Sequence, residues 1–99
     1  MRIHLSPIRS DESLAVSRSG DVLTINGEPF DFSAIPDGAS LPADAVASAF
    51  VVGTVERAAG ELRITLMLPH GPNPPASMAF PADIVDPADG PIILPTEEE

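Results

Sequence analysis

The stretch Asp21-Val-Leu-Thr-Ile-Asn-Gly-Glu-Pro-Phe-Asp-Phe32 constrains the fold more than any other part of this chain. Two runs of alternating apolar residues flank Asn26-Gly27, a dipeptide that adopts the positive φ angles of a type I′ turn at little steric cost. The pattern predicts a tight hairpin with Ile25 opposite Glu28, Thr24 opposite Pro29 and Leu23 opposite Phe30. Pro29 has no N–H to donate to a further neighbour, so strand 28–32 is read as a sheet edge. Upstream, Leu14 and Val16 alternate with Ala15 and Ser17, and Ser19-Gly20 is read as the turn. That register opposes Arg18 to Asp21, Val16 to Leu23 and Leu14 to Ile25, with every apolar pair on one face. Residues 13–32 thus read as a three-stranded meander, with Phe32 following two residues after Phe30.

Twelve prolines in 99 residues leave little room for helix elsewhere. Residues 1–5 read as a first strand with Ile3 and Leu5 on one face, and 6–12 as a polar loop. Over 40–47 the sequence predicts a short helix, with Ser40 as N-cap, Pro42 in the first turn and Asp44 near the positive end of the dipole. A second hairpin follows. Residues 50–56 run up, Arg57-Ala-Ala-Gly60 turns, and 61–68 run back with Leu62, Ile64, Leu66 and Leu68 in strict alternation. A four-residue loop pairs Val55 with Leu62 and Val51 with Leu66, at the expense of facing Glu56 with Glu61. Residues 69–75 read as a stiff connector, 78–85 as a broken apolar strand, 86–90 as a turn and 92–94 as a last strand. The expected fold is all-β and mainly antiparallel: a small β-sandwich or open barrel built from hairpins, with one short helix. Residues 1–95 make a single β-rich domain, and 96–99 an acidic tail.

Charge narrows the functional classes. The formal net charge is −10; all five basic residues are arginines and there is no lysine. Such a chain repels phosphate backbones and anionic lipid, so neither nucleic acid nor a membrane is an expected partner. Without cysteine it forms no disulfide and no thiolate metal site. Residues 1–7 do not resemble a signal peptide, and no apolar run approaches a membrane span, so a cytoplasmic location is expected.

Chemistry-bearing motifs are sparse. His70 follows the firmest strand, and His70-Gly71-Pro72-Asn73 presents an imidazole beside an amide; His70, Gly71 and Asn73 are therefore the candidate interaction loop. No nucleophile elbow accompanies them, so no catalytic residue is assigned. His4 and His70 lack companions at ligand spacing, and no metal or cofactor is expected. Asp83, Asp86 and Asp89 recur every third residue without the ligand pattern of a calcium loop. Pro72-Asn-Pro-Pro75 contains a P-x-x-P match with no arginine nearby to orient it, and reads as a rigid loop. The edges near Phe30 and Phe32 and along 50–56 are candidate sites for strand addition.

Several segments, Leu-Ser-Pro-Ile-Arg near the start, Gly-Asp-Val-Leu-Thr-Ile-Asn-Gly-Glu-Pro-Phe-Asp-Phe-Ser, Leu-Arg-Ile-Thr-Leu-Met-Leu-Pro-His-Gly-Pro-Asn and Asp-Gly-Pro-Ile-Ile-Leu-Pro, resemble small uncharacterised proteins of the phage and prophage tail-gene region. The resemblance spans nearly the whole chain and carries no active-site signature. It implies a setting: a non-enzymatic minor structural or assembly component, cytoplasmic in a bacterial host or virion-associated. Its partners would be phage structural or assembly proteins, or further copies of itself. The alternative is a small-molecule or carbohydrate binding module using the 69–75 loop.

Overall fold

The computed structural model describes residues 1–42, 45, 46, 48–73 and 75–94. Asp44 of the expected helix, Pro74 of the P-x-x-P match and the acidic tail lie outside the described residues.

The meander sets the smaller sheet. Strands β2 (Val16–Ser19), β3 (Val22–Ile25) and β4 (Glu28–Asp31) pair antiparallel. The Asn26-Gly27 turn has φ of 51° and 84°, and Ile25↔Glu28, Thr24↔Pro29 and Leu23↔Phe30 are paired as expected. The β2–β3 register is corrected by two residues: Val16 faces Ile25 and Arg18 faces Leu23. The turn is Gly20-Asp21, with Gly20 at φ 60° in the first central position of a type II′ turn, where only glycine sits without a steric penalty. A two-residue shift keeps the same side chains on the same face, so hydrophobic pattern does not oppose it. Leu14 falls outside β2. The segment before the strand is held instead by Asn26, whose Oδ1 accepts from the Ala15 amide at 2.7 Å and whose Nδ2 donates to the Ser13 carbonyl at 3.0 Å.

The larger sheet comprises β1 (Arg2–Arg9), β5 (Ser40–Pro42), β6 (Val51–Ala58) and β7 (Glu61–His70), joined by β8 (Ile84–Val85), in the order β5-β6-β7-β1-β8. β1 extends beyond the expected 1–5 because its whole length pairs in parallel with β7, from Arg2↔Arg63 to Arg9↔His70. Between β6 and β7 the turn tightens to Ala59-Gly60, with φ of 52° and 77°. Arg57 then faces Leu62, and Glu56 faces Arg63 rather than Glu61, which replaces the expected like-charge pair by an opposite one. The residues freed by the shorter turn are absorbed in a bulge between Val52 and Glu56, where Gly53 has φ 72°, so Val51↔Leu66 holds while Val55↔Leu62 does not.

The expected helix does not start at Ser40: residues 40–42 form β5, whose Leu41 pairs with Val55 on the edge of the larger sheet. The local N-cap chemistry of Ser40 loses to pairing that shelters Leu41. The short helix is α1 (Ala76–Ala79), in place of the start of the expected broken strand 78–85, and Met78 carries it into the core. Strand β9 (Gly90–Pro91) pairs with β2 and completes the smaller sheet in the order β4-β3-β2-β9, where 92–94 had been expected. Ile92 continues that contact through a 2.9 Å bond from its amide to the Val16 carbonyl.

Both sheets contribute to one core: Ile3, Leu5, Val55, Leu62, Ile64 and Leu66 from the larger, Val16, Leu23 and Ile25 from the smaller. Burial of a side chain of this size stabilises by about 1.5–3 kcal/mol. The fold is all-β and mainly antiparallel, with two sheets and no closed barrel. Its two flanks differ. On one, residues 84–91 form a strap that gives β8 to one sheet and β9 to the other. On the other, the link from β4 to β5 leaves a gap.

Candidate functional site

The gap between the edges of β4 and β5 is an open groove of about 560 Å³. Its position follows from local sequence. Alternation along β4 turns Phe30 inward, and Phe32 continues that face and is buried. The chain then bends through 33–39, where Ile35 and Pro36 line the groove, and returns as β5 with Leu41. Val46, buried, supplies more of the wall, while Ala34 and Ala45 are exposed at the opening. Among the described lining residues the polar side chains are Asp31 and Ser40.

Behind this groove Arg57 ties the two sheets together. It faces Leu62 on the core side of β6, and its Nε donates to the Ile35 carbonyl at 2.7 Å. Its Nη2 donates to the Phe32 carbonyl at 3.2 Å and meets Asp21 Oδ2 at 3.3 Å. The 32–35 backbone that shapes the groove is therefore fixed by a charge from the larger sheet. Asp31, on the rim, accepts from the Ser33 amide at 2.9 Å. That bond, from the Ser33 backbone first and its hydroxyl second, holds the Asp31 carboxyl below the usual carboxylate range, so it is ionised at neutral pH.

The edges that flank the groove resist strand addition. Pro29 lies on β4 and Pro42 on β5, each removing a donor that an added strand requires. Pro91 does the same on β9, and β8 is only two residues long. Strand 50–56 is not an edge, because β6 lies between β5 and β7.

The sequence-derived candidates fall elsewhere. His70 is half-buried at the end of β7; its Nδ1 is 2.7 Å from the Gly71 carbonyl, which makes that nitrogen the donor, and its own carbonyl accepts from the Ser10 amide at 3.0 Å. Asn73 is exposed. None of the described residues of the 69–75 loop lines the groove. His4 lies apart from His70 in its contacts: His4 Nδ1 is 2.7 Å from Asp83 Oδ1, and Arg2 Nη1 is 3.3 Å from Asp83 Oδ2. The His4 hydrogen bond is the largest influence lowering the Asp83 carboxyl, with Arg2 adding to it.

Asp86 Oδ1 accepts from the Met1 ammonium at 2.9 Å, and Asp89 Oδ1 accepts from the Gly20 amide at 3.0 Å. The three aspartates spaced by three thus fasten the strap at separate points instead of converging on an ion. Among the described residues no three potential metal-ligating side chains come together, and no helix is long and apolar enough to cross a membrane.

Phe30 and Phe32 were legible in the sequence as an exposed edge. Leu41 and Val46 were not legible as their partners, because Ser40 and Pro42 read as the start of a helix. No family model, no curated protein and no solved structure matches the chain.

Proposed function

We propose that this chain is a non-enzymatic binding module that acts through protein–protein contacts, as a minor structural or assembly component of phage or prophage type. The observation that carries this reading is the apolar groove of about 560 Å³ on the open flank of the sandwich. Contiguous apolar surface left open on a small domain marks a place of contact. The sequence resemblance supplies the phage setting, and the acidity argues against nucleic acid and anionic membranes as partners. The two histidines, the most obvious candidates for acid–base work, are engaged locally by Asp83 and by the Gly71 carbonyl.

Because prolines blunt the sheet edges, partners or further copies of the chain meet it through side chains and not through an added strand. The location that fits is the cytoplasm of a bacterial host or the virion. Light scattering on the chain alone, and mixed with each protein encoded beside it, tests the reading. A defined complex or oligomer is expected. An unchanged monomer mass in every mixture overturns it.

The second reading, a small-molecule or carbohydrate module, is favoured by the groove volume, which lies in the range of small-ligand sites. Its site moves from the 69–75 loop to the β4–β5 flank. The chain has four phenylalanines and no tyrosine or tryptophan, which leaves few rings for a sugar to stack on.

A further inference from the structure

We infer that the β4–β5 groove receives a short basic, amphipathic segment of a partner protein, its apolar side chains seated against Phe30, Phe32 and Leu41 and a lysine or arginine meeting the Asp31 carboxylate. The inference rests on the protein–protein reading above and names the chemistry of the partner.

Charge complementarity is the argument. Among the described residues, Asp31 is the only ionisable one lining the groove. It takes a hydrogen bond from the Ser33 amide, and among the described residues no cation pairs with it. The chain cannot readily supply that cation from within. It has no lysine. Arg2 and Arg63 meet Glu61, with Arg2 also on Asp83. Arg18 meets Asp89 and the Gly20 and Pro87 carbonyls. Arg57 meets Asp21 and two carbonyls behind the groove. The remaining arginine, Arg9, ends β1 and does not line the groove. With a formal net charge of −10, the molecule attracts cations at long range as well.

The mode of entry follows from the edges. Pro29 and Pro42 deny backbone donors on both sides of the groove, so the occupant is held by its side chains. Apolar residues alternating with a basic one satisfy the geometry. Along β4 itself, Phe30 turns inward while its neighbour Asp31 stands at the rim.

A displayed library of short peptides, apolar at alternate positions and randomised between them, is selected on the full chain. Lysine and arginine are expected to be enriched over aspartate and glutamate, and the enrichment to vanish on Ala34→Arg, which places a cation at the opening. The best binder, labelled with fluorescein, is then titrated by anisotropy. Asp31→Asn keeps an acceptor for the Ser33 amide and is expected to weaken binding about two- to fivefold, an effect that fades at high salt. A urea midpoint for each variant matching that of the parent establishes that folding is intact.

Enrichment of neutral or acidic peptides, no enrichment at all, or indifference to both Asp31→Asn and Ala34→Arg overturns the inference. So does binding of the uncharged fluorophore N-phenyl-1-naphthylamine that no selected peptide displaces, which assigns the groove to a small apolar ligand. If the groove fails in these ways while light scattering still finds a complex with a neighbouring gene product, the broader reading survives without it. If no complex forms either, both fall.

Discussion

At the scale of single residues, the backbone conformations at the turns are unevenly matched to their side chains. Asn26-Gly27 places in a type I′ turn the pair best suited to it, and the Asn26 side chain also holds the Ser13–Ala15 segment. Ala59-Gly60 makes the same kind of turn with an alanine at φ 52°, where its Cβ crowds the following carbonyl. Ala59 therefore carries strain that its counterpart does not. Ala59→Asn, which recreates the Asn-Gly turn of the β3–β4 hairpin, is expected to stabilise the protein by roughly 0.5–1 kcal/mol, read as a rise in the urea midpoint at unchanged slope. A lower midpoint would show that the tight β6–β7 turn is not the one adopted. The same residue explains a misread register. Alanine gives no signal for positive φ, so the sequence suggests a looser four-residue loop. Only the completed sheet, with Glu56 set opposite Arg63 and a bulge at Gly53, makes the tighter turn worthwhile.

At the scale of elements, what was legible was local. The β3–β4 register and the alternation of β7 come from neighbouring residues and agree with the structure. The pairing of β1 with β7 joins segments some sixty positions apart, and nothing in Met1–Leu5 says which strand it will meet. Gly20 was visible, but a two-residue shift of β2 against β3 leaves every face unchanged, so only turn stereochemistry decides. The groove was half legible for a related reason: its β4 wall has a strand pattern, while β5 owes its state to Val55.

In the strap of residues 84–91, Ile84 and Val85 end the expected strand 78–85 and form β8, while Gly90-Pro91 has no local strand signal; ion pairs fasten the strap. Hydrogen bonding to His4 lowers the Asp83 carboxyl, and the Met1 ammonium lowers that of Asp86. Because these folded values lie below those of the unfolded chain, the stabilisation is present above about pH 4 and is lost as pH falls through the folded values. The urea midpoint is accordingly expected to drop on acidification below about pH 4. Asp83→Asn should lower the midpoint at neutral pH and flatten that acid limb, with faster amide exchange at Ile84 and Val85. An acid limb identical to the parent's would show that Asp83 does not fasten the strap.

At the scale of the whole molecule, the two sheets present four edges, and proline or shortness blunts each one. Edges of this kind keep small β-proteins from stacking on one another. Pro29→Thr combined with Pro42→Thr restores donors on both sides of the open flank. The double variant is expected to associate at lower concentration than the parent, seen as a mass that rises with concentration in light scattering. A mass that tracks the parent's at all concentrations would mean that the prolines do not guard these edges.

The pairing of β1 with β7 also has a consequence in time. During synthesis β1 emerges well before β7, and its parallel partner is complete only when residue 70 has left the ribosome, about 3–12 s later at roughly 5–20 residues per second. The strap that finishes both sheets comes later still. For that interval the Asn26-Gly27 hairpin can pair from neighbouring residues alone, while Ile3 and Leu5 lack the strand that pairs with theirs, so the local and the distant halves of the fold are separated in time.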